Sequence, residues 1–153
     1  MVSDILQALH ERIEDDLDGL ALTPEGLRAV TDARWGETTL QIDYDEEASC
    51  IRVSVAVPPP AGAGPELLVW CLSMNAQYFD VKLALDDEGQ LLVHGDIDVD
   101  EREVGEVAPN VVDTAESVIG FVDDDLVEWC LSRGLGTPAQ RLRWGHRVPE
   151  GAS

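Results

Sequence analysis

The residues with the most chemical potential in this chain are its acids. Asp96, Asp98 and Asp100 alternate along one stretch with His94 just before them, and Asp123, Asp124 and Asp125 stand in a row. A carboxylate ladder beside an imidazole is the raw material of a general acid–base pair or of a Ca²⁺ or Mg²⁺ site. The spacing supports neither strongly. A Ca²⁺ loop of the EF-hand kind needs D-x-D-x-D-G, and that pattern is absent. Acids are so abundant that any two could be paired on paper, so burial would have to single out a pair. A wet strand face accounts better for the first set, and the solvent side of a helix for Asp123, Asp124 and Asp125. His94 has no Ser or Cys in a motif with it. A hydrolase or metal enzyme built on Asp96, Asp98 and His94 is therefore the weakest of three readings.

Cys50, Cys71 and Cys130 are too few and too dispersed for a zinc cluster, and His10, His94 and His146 stand at no ligand spacing from them. They read as reduced, structural thiols of a cytoplasmic protein. The GAGPE stretch after Pro60 lacks the lysine of a phosphate-binding loop and follows prolines rather than a strand. No catalytic, cofactor or metal residues are assigned.

Net charge is −21, from 31 acidic and 10 basic side chains, and Lys82 is the sole lysine. Such a field repels nucleic acid and anionic membranes and attracts basic protein segments. Adaptation to high salt explains the same charge without invoking a partner. No apolar run approaches the roughly 20 residues of a membrane span, and the first residues do not form a signal peptide.

The elements follow from periodicity. Ser3 can cap a first helix whose stripe is Ile5, Leu9, Ile13 and Leu17, with Gly19 as its stop. Thr23-Pro24-Glu25 resembles a fresh cap opening a short helix to about Val30. Thr38, Leu40, Ile42 and Tyr44, then Ile51, Val53, Val55 and Val57, alternate as a β-hairpin that ends at Pro58-Pro59-Pro60. From Gly64 a helix carries Leu67, Leu68, Val69, Trp70, Cys71, Leu72 and Met74, apolar nearly all round, which implies burial on more than one side or a second copy of the chain. A second hairpin runs through Val81, Leu83 and Leu85, turns at Asp86-Asp87-Glu88-Gly89, and returns with Leu91, Val93, Ile97 and Val99 on one face. Leu92 and His94 take the other face. Asn110 is the expected cap of a long last helix that Gly134 ends.

The expected fold is α+β: an antiparallel sheet of two hairpins with N-terminal, central and long C-terminal helices. Residues 1–133 make one domain and 134–153 a basic tail. That tail holds Arg141, Arg143 and Arg147 against Glu150, and Trp144 argues that it docks on its own body or on a partner copy.

The order of these elements resembles the YbjN family, itself similar to the type III secretion chaperones of the Tir-chaperone class. The closest local likeness is FDVKLALDDEGQLLVHGDIDVDE followed by the helix PNVVDTAESVIGFVDDDL. The likeness spans roughly Asp4 to Arg133. It implies a compact homodimer that holds a protein client without cofactor or catalysis. With the composition, it makes the first reading a non-enzymatic chaperone-like or adaptor protein that binds a protein partner. The second is an acidic inhibitor, an immunity protein or nucleic-acid mimic, that neutralises a basic target. The expected partner or dimer surface comprises Leu67, Leu68, Trp70, Cys71, Met74, Leu92 and His94.

Overall fold

A computed structural model describes residues 4–77, 81–100 and 102–145. Ser3, the expected first cap, lies outside the described residues, as do Tyr78–Asp80 between the central helix and its hairpin and the last eight residues of the tail. The elements in order are α1 (Asp4–Ile13), β1 (Ala21–Thr23), β2 (Gly26–Asp32), β3 (Glu37–Asp45), β4 (Cys50–Val57), α2 (Glu66–Gln77), β5 (Lys82–Leu85) and β6 (Leu91–Asp98). Then come α3 (Val104–Gly120), a π-helical segment (Phe121–Leu126), α4 (Val127–Ser132) and α5 (Pro138–Gly145).

The strands make one antiparallel sheet in the order β1-β2-β3-β4-β6-β5, an α+β fold. The crossover through α2 carries the chain past the place of β6, which returns between β4 and β5. Alternation decides the faces. Leu40, Ile42, Ile51, Val53, Val55, Leu91 and Val93 are all buried on the side covered by α1 and α3. Register brings Arg28, Gln41, Ser54, His94 and Lys82 into one row on the opposite side.

Three expectations change. The residues from Thr23 to Val30 are not a helix but the turn and returning strand of a third hairpin: Thr23 pairs with Gly26, and Leu22 with Leu27. Pro24 and Glu25 form its tip, held by the Thr23 hydroxyl, which donates to the Gly26 carbonyl at 2.8 Å and accepts from the Glu25 N–H at 3.2 Å. Gly26 has φ +126°, and a Cβ there would fall 2.6 Å from Asp43 Oδ1 and 2.7 Å from the Ile42 carbonyl. The buried Leu27 and Ala29 alternate with the exposed Arg28 and Val30, a strand period that the proline-first cap pattern obscured.

The last long helix begins at Val104, not at Asn110, so Pro109 lies inside it. Burial of Val107 and Ala108 beside Val111 extends the apolar stripe ahead of the proline. Having no N–H, Pro109 cannot donate to the carbonyl of Gly105 four residues before it.

Asp123 is not on the wet side of the helix. The π turn presents its carboxylate to the Trp35 N–H at 3.2 Å. Around this point α5 closes on the β2–β3 turn. Trp144 is fully buried and stacks on Trp35 with ring centres 4.8 Å apart. Its indole N–H donates to the Trp35 carbonyl, and its own carbonyl accepts from Arg34 Nε at 2.6 Å. Arg143 reaches the Asp32 carboxylate and the Ala33 carbonyl.

Candidate partner-binding surface

The surface best suited to a partner is built on α2. Pro65 precedes it and Glu66 is its single charged residue. Leu67 and Cys71, one turn apart, face the core and are buried. Trp70 and Met74 are half-buried against that core. Trp70 stacks on Trp129 at 4.9 Å and tilts against Phe121 at 5.5 Å, so the π segment and α4 support α2 from behind. Leu68, Val69 and Leu72 point away, at 49%, 64% and 70% exposure. The helix apolar on all sides is thus packed on one side only, and its outward row includes Val69 and Leu72 beside Leu68. Sequence periodicity could not rank these positions, because with no polar face nothing marks which side turns inward.

Asn75 anchors the end of α2 to the sheet. Its side-chain oxygen accepts from the Leu83 N–H at 2.7 Å, and its amide donates to the Leu83 carbonyl at 3.0 Å. Asn75 therefore makes both bonds that a neighbouring strand would make, and stops the outer edge of β5 at that point. The Asn75 carbonyl also accepts from Lys82 Nζ.

Leu92 and His94 stand elsewhere, on the sheet face turned away from α1 and α3. His94 lies opposite both Ser54 and Lys82. Its side chain is 14% exposed, and Nδ1 has no hydrogen-bond partner though Asp96 Oδ1 is 3.4 Å away. Burial lowers the imidazole pKa, and the nearby Arg52 guanidinium lowers it further, against the opposing pull of Asp96. Asp96 is held by Arg52 through two hydrogen bonds of 2.9 and 3.1 Å, which hold its pKa below the ordinary carboxylate value. The aspartate ladder is thus part of an ion-paired sheet surface at its first member. Among the described residues, no group of three or more His, Cys, Asp or Glu is arranged to hold a metal ion. The three cysteines are free thiols, and burial pushes Cys130 up to about 12. Among the described residues, no helix is long and apolar enough to cross a membrane.

The fold has relatives among solved structures. YbjN from E. coli matches with a TM-score of 0.58 at 16% identity, over 87% of this chain and 95% of that one. The HopA1–SchA chaperone–effector complex contains a chain that matches with a TM-score of 0.52 at 14% identity, over 76% and 88%. The ExsC–ExsE complex contains another, with a TM-score of 0.50 at 16% identity, over 76% and 87%. At these identities the likeness is one of fold. No curated protein matches the chain by sequence. The family model YbjN, described as "Putative bacterial sensory transduction regulator", matches residues 1–118, which include everything from α1 to most of α3. The chain belongs to the YbjN family.

Proposed function

We propose that the protein is a non-catalytic chaperone-like or adaptor protein that holds a protein partner and works as a homodimer joined through α2. One observation carries the dimer: a twelve-residue helix with a single charge turns Leu68, Val69 and Leu72 to the outside of a chain of net charge −21. Two such chains repel each other over most of their surface, so a stable contact needs a patch poor in charge and rich in apolar area. The outward face of α2 meets both conditions. The partner-holding part draws support from the fold shared with members of chaperone–effector and ExsC–ExsE complexes. No residue is assigned a catalytic role and no cofactor is required.

Light scattering at tens of micromolar tests the dimer. The expected mass is twice the 16.7 kDa of the chain, firmer at high salt because screening weakens the repulsion. Leu72→Asp should return the mass to that of one chain with its far-ultraviolet circular dichroism unchanged. A wild-type chain that stays at 16.7 kDa overturns the dimer.

A further inference from the structure

A second surface lies where α1 ends. Two adjoining hollows line the junction between that end and α3, and they share Asp16. The first, of about 380 Å³, is bounded on α3 by Gly105, Ala108, Pro109, Val112 and Asp113. The second, of about 210 Å³, is bounded by Glu116 and Ile119, with Ala29 and Leu40 of the sheet beneath. The α3 positions recur at spacings of three and four, so the hollows follow one side of the helix. At about 1.5 Å of rise per residue, Gly105 to Ile119 spans about 21 Å, the reach of about six residues of extended chain.

The two ends differ in charge. At the first, Arg12 lies across Gly105, its Nη1 2.9 Å from where a Cβ would stand. At the second, Asp18 and Glu116 join Asp16 around an apolar floor. None of these three carboxylates forms an ion pair with a described residue.

We propose that this α1–α3 groove receives an extended protein segment and selects it by a lysine or arginine. The aliphatic stem of that side chain lies on Ala29, Leu40 and Ile119, and its charge sits among Asp16, Asp18 and Glu116. The inference rests on the reading of the protein as one that holds a protein partner, and names what that partner must carry. A long basic side chain has the needed form, an apolar stem with a charged tip. A purely apolar side chain would strip water from the carboxylates and give them no partner. An acidic one would be repelled. At the first hollow Arg12 offsets one of the two carboxylates, Asp16 and Asp113, whereas no cation lines the second, so the basic residue is best placed at the second.

Titration of the full-length, ¹⁵N-labelled protein with acetylated eight-residue peptides tests this. The probes alternate valine with lysine, with glutamine or with glutamate. The lysine peptide should bind tightest, with amide shifts gathered at Asp16, Leu17, Glu116 and Ile119. Glu116→Lys should weaken it about fivefold or more. Asp87→Lys, the same change of charge at the β5–β6 turn, should leave it within about twofold. Equal weakening by both variants would assign the binding to the overall field and overturn the groove. Equal binding of the lysine and glutamine peptides, or no binding at all, overturns it too. Shifts centred on α2 and lost in Leu72→Asp would sink the groove while leaving the partner-holding reading intact.

Discussion

Replacing Trp144 by alanine tests whether the stretch beyond the family match is part of the folded body. Trp144 is fully buried, stacked on Trp35, and hydrogen-bonded through both its indole N–H and its carbonyl. The alanine variant keeps the carbonyl bond to Arg34 and loses the rest. Truncating a buried tryptophan to alanine costs about 3–5 kcal/mol, including about 0.5–1.5 kcal/mol for an aromatic pair. Gly136 lies directly under the ring, 2.5 Å from a ring carbon at the place where a Cβ would stand. Having no side chain, Gly136 has nothing to turn into the space that the ring leaves. The loss should therefore fall toward the upper half of that range, about 4 kcal/mol. For a chain of this length each kcal/mol lowers Tm by about 2–4 °C, which gives a drop of about 8–16 °C. Urea unfolding followed by far-ultraviolet circular dichroism measures it without depending on the missing fluorophore. Leu142→Ala is the control: it sits on the same helix at 76% exposure and should change stability by less than about 0.5 kcal/mol. A Trp144→Ala loss below about 1 kcal/mol would refute the packing, and so would equal losses in the two variants.

Two further predictions concern the sheet. Asn75→Ala removes both bonds to Leu83 and should destabilise the chain by about 1–3 kcal/mol; it should also raise its tendency to associate through the freed β5 edge, read by light scattering over time. His94 has a folded pKa below its ordinary 6.5, so the unfolded chain takes up its proton first. The stability it contributes is complete above pH 6.5 and declines as the pH falls from there through the folded value. In His94→Gln that part of the slope between pH 7 and 5 should vanish in urea titrations; an unchanged slope would place its origin in other groups.

Much of the fold can be read from local pattern. Alternation in Leu40–Tyr44 and Ile51–Val57 defines β3 and β4 because a strand with one buried face repeats every two residues. The Asp86–Gly89 turn is equally local: Asp86 Oδ1 accepts from the Glu88 and Gln90 N–H groups, and Gly89 takes φ +81°. The Thr23-Pro24-Glu25 stretch misleads for the same reason that it attracts notice. Threonine followed by proline suits a helix start and a tight turn alike, and the choice falls to Gly26, which only a partner strand can require. That partner is β3, whose Gln41, Ile42 and Asp43 meet Gly26 from farther along the chain.

The candidate surface is legible by element and not by residue. The sequence by itself determines that α2 carries far more apolar area than one side of a helix can bury, and that acids outnumber bases about threefold. It also determines the two faces of each strand, which separate Leu92 and His94 from the core. Only the tertiary structure decides that Leu67 and Cys71 turn inward while Leu68, Val69 and Leu72 turn out, because the Trp70–Trp129 stack and the Asn75–Leu83 bonds fix the rotation of α2. Only it brings α1 beside α3, so that Asp16, Asp18 and Glu116 surround one hollow from positions about a hundred residues apart. Period and composition are properties of neighbours along the chain. Helix rotation and the meeting of distant carboxylates depend on packing between segments, which no local window contains.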